Sequence, residues 1–154
     1  MVAKYKFKTE PFQHQRNALT ACWDKSSYAL FMEMGTGKTK VLIDNIGVLF
    51  IQQKIDAALI VATKSVYTIW VNDEIPKHMS IPYDICLWKP TKEKSVKEFI
   101  DSSTQKCKIL VMNVEAFSTA KGVSFAAKFL RCHRTMMAID ESTTIKNPDA
   151  KRTK

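Results

Sequence analysis

The sequence lacks several things, and each absence excludes a class of protein. It contains no C-x-x-C pair. Its four cysteines, Cys22, Cys86, Cys107 and Cys132, are widely scattered and read as reduced, mostly buried thiols rather than a disulfide framework. The histidines His14, His78 and His133 stand at no ligand spacing with them, which argues against a zinc site. The opening MVAKYKFKTE lacks the apolar run of a secretory signal. No apolar stretch approaches the roughly 18 residues of a membrane-spanning helix. A soluble, cytoplasmic chain with no membrane partner is the expectation. No long repetitive or disordered tract occurs. Acidic residues are also short in supply, 15 against 24 basic ones, for a formal charge of +9. That excess suits a polyanionic partner, although a solvated basic surface accounts for it equally well.

What is present suffices for one domain: 154 residues with a hydrophobic fraction of 45%. Short apolar runs alternate with helical patterns. Strands are expected at SYALFM (27–32), AALIVAT, YDICLW, CKILVMN and TMMAID. Helices are expected at PFQHQRNALTACWD, KTKVLIDNIGVLFIQQ, KSVYTIWVNDEIPKHM, TKEKSVKEFIDSS and VSFAAKFLRCHR. Several strands are continuously apolar, the mark of a parallel sheet covered on both faces. The fold class is α/β, a three-layer domain with a mainly parallel sheet.

The segment FMEMGTGKTK lacks a residue that a strict search would demand. The usual phosphate-loop pattern, G-x-x-x-x-G-K-S/T, calls for glycine at position 32, and Met32 stands there. The rest of the pattern is intact. An apolar run leads into Gly35-Thr36-Gly37-Lys38-Thr39, and a helix follows. Backbone N–H groups and the helix dipole at that start attract phosphate oxygens. Gly35 and Gly37 let the backbone approach closely. Lys38 can reach the β- and γ-phosphates of ATP, and the Thr39 hydroxyl can ligate Mg²⁺.

Far downstream, Asp140 and Glu141 follow the apolar run MMAI. Acidic residues at the carboxyl end of a parallel strand emerge at the same sheet edge as the phosphate loop. There Asp140 would hold Mg²⁺, and Glu141 would orient and deprotonate the attacking water. A kinase, which phosphorylates a substrate hydroxyl, has no need of this adjacent pair.

Together these segments resemble the first RecA-like lobe of a superfamily-two helicase or translocase of the Swi/Snf type. The family loop commonly reads D-E-M-G-x-G-K-T, so it too lacks the first glycine. Glu33, Met34, Gly35, Gly37, Lys38 and Thr39 match it, with Met32 in place of the aspartate. The family's acidic box is D-E-A-H or D-E-G-H, whereas here it reads Asp140-Glu141-Ser142-Thr143. The missing histidine helps couple nucleotide state to the rest of the motor, so coupling is what its loss puts in question.

The resemblance runs from about Pro11 to Lys154 and implies further roles. PFQHQRNAL is similar to the motif that reads adenine, through Gln15 or else Gln13. VATKSVYTIWVNDE is similar to P-x-S-L-x-x-x-W-x-x-E, which makes Lys64 and Ser65 candidates for nucleic-acid backbone contact. Trp70 in that segment reads as core packing rather than base stacking. VMNVEAF places Asn113 and Glu115 on the next backbone-contacting motif. In TTIKNPDAKRTK, Lys146, Lys151 and Arg152 either contact DNA phosphates, without regard to sequence, or form a basic tail. The implied partners are duplex DNA and a second RecA-like lobe, and the implied cofactors are ATP and Mg²⁺. The family's later motifs, with the arginine fingers of the second lobe, do not follow Glu141. The expectation is an ATP-binding lobe, incomplete at its carboxyl-terminal end, that binds ATP but hydrolyses it poorly alone. The alternative is a non-catalytic nucleotide- or DNA-binding regulatory module.

Overall fold

The computed structural model describes residues 4–33 and 35–140. Four strands form its sheet: β1 (Ala57–Ala62), β2 (Tyr83–Leu87), β3 (Cys107–Asn113) and β4 (Thr135–Ile139), in the order β2-β3-β1-β4. Every pairing is parallel, with Ala57 opposite both Lys108 and Thr135, and Tyr83 opposite Cys107. The two central strands, β1 and β3, are the most deeply covered; β1 is wholly apolar, and β3 is apolar between Lys108 and Asn113. All six β1 residues are buried, and so are the first six of β3.

Side-chain alternation along these strands divides the interior in two. Ala58 and Ile60 of β1 join Ile109 and Val111 of β3 on one face, against α1 (Gln13–Cys22) and α2 (Lys38–Ile51). Leu59 and Val61 join Leu110 and Met112 on the other, against α5 (Glu93–Asp101) and α6 (Ala120–Cys132). Between β1 and β2 the chain makes an α turn α3 (Tyr67–Ile69), a π-helical stretch (Trp70–Glu74) and an α turn α4 (Ile75–His78). This segment lies on the α2 side, where Trp70 and Ile75 are fully buried. Helix layers on both faces of a parallel sheet give the expected three-layer α/β arrangement.

One expected strand does not form. Residues 27–32 carry no ladder pairing. Leu30 and Met32 turn inward against the α2-side core, while Tyr28 and Phe31 are exposed, Phe31 at 95%. A strand is a property of a pair, and apolar composition cannot supply the partner. The carbonyls at the end of this run are used locally instead. That of Met32 accepts from Lys38 Nζ at 2.8 Å, and that of Glu33 accepts from Thr36 Oγ1 at 2.6 Å.

The cysteines mostly fit their expectation. Cys22 and Cys107 are buried, Cys86 is half-buried and Cys132 is exposed. Burial pushes the Cys107 thiol up to about 12, which keeps it protonated and inert.

Candidate nucleotide site

The loop before α2 takes its shape from two glycines with positive φ, Gly35 at 76° and Gly37 at 82°. Gly37 is the N-cap of α2. A Cβ on it would lie 2.1 Å from Gln15 Nε2, so the absence of a side chain lets Gln15 pack directly over the loop. Gln15 is buried and its amide is engaged at both ends. Its Oε1 accepts from the Phe12 N–H at 2.9 Å, the reach-back of a capping glutamine. Its Nε2 donates to the Thr36 carbonyl at 3.1 Å. His14 Nε2 donates to the same carbonyl at 2.8 Å. Helix α1 is thereby fastened to the loop.

The electrostatics at the start of α2 are lopsided. Its first turn contains Lys38 and Lys40 and no acid, although a helix amino terminus already carries partial positive charge. Lys40 is neutralised: its Nζ donates to Asp44 Oδ2 at 2.7 Å in a buried ion pair. Tyr5 donates to the other oxygen of Asp44 at 3.0 Å. Burial pushes the Asp44 carboxyl up, against the opposing pull of Lys40. Lys38 has no such partner among the described residues. Its Nζ rests on the Met32 carbonyl, and among the described residues no carboxylate lies within ion-pair distance of it. Exposed helix N–H groups and an unneutralised ammonium together favour an anion.

Asp140 lies directly beyond β4, and its backbone N–H donates to the Val61 carbonyl at 2.8 Å. This bond carries the β1–β4 pairing one residue further and places Asp140 at the carboxyl end of the sheet. A cavity of about 490 Å³ there is lined by Gly35, Gly37, Lys38, Thr39, Gln15 and Asp140, among others. Six of the sequence candidates thus meet in one place, although the run before the loop is no strand.

Lys64 and Ser65 are exposed on the turn after β1. Asn113 ends β3, and its Nδ2 donates to Glu115 Oε2 at 3.0 Å. Both groups sit at the carboxyl end of the sheet but outside the cavity lining. Met34, Glu141, Lys146, Lys151 and Arg152 lie outside the described residues.

The structure adds Thr9, Glu10 and His78 to the cavity, together with Glu74, which in sequence stands only as part of the tryptophan-containing motif. Thr9 Oγ1 and His78 Nδ1 are 2.6 Å apart, and Glu74 lies 3.6 Å from His78 Nε2. The i,i+4 spacings of Lys40 with Asp44 and of Glu74 with His78 were the available signals. Trp70 also reaches this edge: its Nε1 donates to Asp140 Oδ2 at 3.0 Å.

The donor set fits a Mg-nucleotide. Among the described residues no cluster of three or more His, Cys, Asp or Glu side chains could cage a metal. Mg²⁺ needs no such cage, because it keeps several waters and binds through one or two protein oxygens and substrate phosphates. Thr39 and Asp140 supply oxygens of that kind.

A parallel three-layer α/β domain with a basic glycine loop and an aspartate at the same sheet edge defines a nucleotide-handling class of protein. More particularly, the model of the SNF2-related domain matches residues 13–154, and the chain belongs to that family, whose domains are ATPases. The SWI2/SNF2 ATPase core of Sulfolobus solfataricus, solved in complex with dsDNA, superposes with a TM-score of 0.70 at 16% sequence identity. The match covers 96% of this chain and 29% of that one, and it establishes a shared fold. Among curated proteins none matches.

Proposed function

We propose that this chain is the ATP-binding lobe of a motor of the Swi/Snf type, one that couples ATP hydrolysis to movement on duplex DNA. The observation that carries the reading is the convergence of Lys38, Thr39 and Asp140 on one cavity at the α2 amino terminus. In this reading the loop amides and Lys38 hold the β- and γ-phosphates, and Lys38 exchanges its bond to the Met32 carbonyl for phosphate oxygen. Thr39 and Asp140 would hold Mg²⁺, which when bound would supply charge withdrawal from the phosphoryl group. Glu141 orients the attacking water. Gln15 contributes to holding the base from its place over Gly37. Lys64, Ser65 and Asn113, with Lys146, Lys151 and Arg152, are the residues that would contact the DNA backbone, a set of contacts that depends on charge rather than base sequence. A second RecA-like lobe supplies the remaining catalytic groups.

Calorimetric titration of the 154-residue chain with Mg-ATP, beside a hydrolysis assay with and without duplex DNA, tests this. Measurable binding, weakened at least about tenfold by Lys38→Ala, and little DNA-stimulated turnover are expected. No binding by the wild-type chain would sink the nucleotide site. Robust DNA-stimulated turnover that Lys38→Ala abolishes would overturn the need for a second lobe. Nucleotide binding with no affinity for duplex DNA would favour a regulatory module instead.

A further inference from the structure

Trp70 has all the marks of a core residue. It is fully buried, and it stands where its segment begins to pack on the α2-side core. Yet its polar atom is directed at the nucleotide cavity. The Trp70 carbonyl accepts from the N–H of Ile75, five residues on, which is the bond of a π turn. Such a turn accommodates one more residue than an α turn, and π turns often occur at functional sites. Its amino-terminal side is anchored as well, with the Trp70 N–H donating to the Val66 carbonyl at 3.2 Å. The ring is therefore held by burial and by the backbone on both sides. Its Nε1–H donates to Asp140 Oδ2 across 70 residues of sequence.

A buried indole N–H needs an acceptor, and a backbone carbonyl would satisfy it. Here the acceptor is a carboxylate that lines the cavity with Lys38 and Thr39. The backbone of Asp140 is pinned to Val61, so the freedom left to the carboxylate lies in χ1 and χ2, and for aspartate χ2 is broad. A donor fixed on Oδ2 restricts it. Indole N–H is a donor only and does not titrate, so it engages one oxygen. Oδ1 makes no hydrogen bond among the described residues. Mg²⁺ demands near-ideal octahedral geometry, and groups that orient a ligating carboxylate typically change metal affinity by 10–100-fold.

We propose that Trp70 is a positioning residue for the metal-binding carboxylate of Asp140, presenting Oδ1 to the Mg²⁺ that accompanies the nucleotide. The role rests on the nucleotide-site reading above and adds to it a residue from outside the loop and the acidic box. Trp70→Phe keeps most of the ring volume and removes the N–H. The readout is the ratio of nucleotide affinity with Mg²⁺ to that in excess chelator, measured by calorimetry. The Mg²⁺-dependent gain should fall about tenfold in the variant, with metal-free affinity unchanged. A purely structural role would lower both alike or neither.

A second measurement uses the wild-type fold. The chain has three tryptophans, so its indole ¹H–¹⁵N spectrum has three signals to assign. The Trp70 signal should move on adding Mg-ADP but not ADP with chelator, and Asp140→Ala should move it upfield. A full Mg²⁺-dependent gain in Trp70→Phe, or a Trp70 signal indifferent to Asp140→Ala, would overturn the role of Trp70 alone. No Mg²⁺-dependent gain in the wild type would overturn the metal site, and this role with it.

Discussion

The two ends of the sheet carry cavities of similar size, about 490 Å³ at the carboxyl end and about 410 Å³ at the amino end, yet they treat their charges in opposite ways. At the amino end Arg134, Lys108 and Lys128 have each found a structural partner. Arg134 clasps Asp56 with Nη2 at 2.6 Å and Nε at 3.1 Å, and its guanidinium holds the Asp56 carboxyl below the usual aspartate range. Lys108, 2% exposed, donates to the carbonyls of Ile100 and Ser102 and so caps the carboxyl terminus of α5. His133 Nε2 donates to the same Ile100 carbonyl at 3.0 Å, and Lys128 pairs with Asp101 at 2.8 Å. At the carboxyl end, Lys38 rests on one backbone carbonyl and Asp140 shares one oxygen with an indole. The lesson is that a polar cavity is no binding site when its charges are already spent on one another. Charge left uncompensated is the stronger guide, because the fold gains nothing from leaving it so.

Substitutions at the two ends should separate stability from binding. Lys108→Met keeps the buried stem and removes the cap from two carbonyls. It should cost about 2 kcal/mol in urea unfolding and leave Mg-nucleotide affinity unaltered, whereas Lys38→Met should reverse that pattern. Equal stability losses at both lysines would break the contrast. Gly37→Ala comes next. It places a side chain in left-handed backbone and a Cβ against Gln15 Nε2, and it should cost about 1 kcal/mol by the same assay. An alanine variant as stable as the wild type would show that the loop does not hold this conformation.

The smallest expected effect concerns pH. Burial, and then the charge of Lys40, hold His78 below the ordinary histidine value, with Asp44 pulling the other way. A group that prefers to be neutral when folded contributes stability above its unfolded pKa of about 6.5, and this is lost as pH falls toward the lower folded value. Between pH 7.5 and 5.5 the wild type should therefore lose more melting temperature than His78→Gln. Identical losses would mean that His78 does not titrate in this window.

How much of the site could be read from sequence follows from which parts are contiguous. The glycine loop could, because a phosphate cradle is built from adjacent backbone amides and its lysine and threonine stand beside them. The placement of Asp140 could too, because the end of an apolar parallel strand dictates which sheet edge it reaches. The run 27–32 is not a strand, because its composition says how apolar it is and nothing of whether an edge receives it. Trp70 is the core residue its sequence implies, but its second use has no sequence signal. The Asp140 contact depends on a π turn and on two elements meeting across the fold.

The sequence by itself determined the alternation of elements from β1 onward, the apolar strands of a parallel sheet, and the chemistry available at the loop and at Asp140. These depend on local spacing and on period, which the chain carries wherever it is. Tertiary structure alone decided that Gln15 lies over Gly37, that Lys40 pairs with Asp44 while Lys38 rests on the Met32 carbonyl, and that an indole grips Asp140. Those outcomes depend on which groups are brought within about 3 Å of one another, and only the packed chain sets such distances.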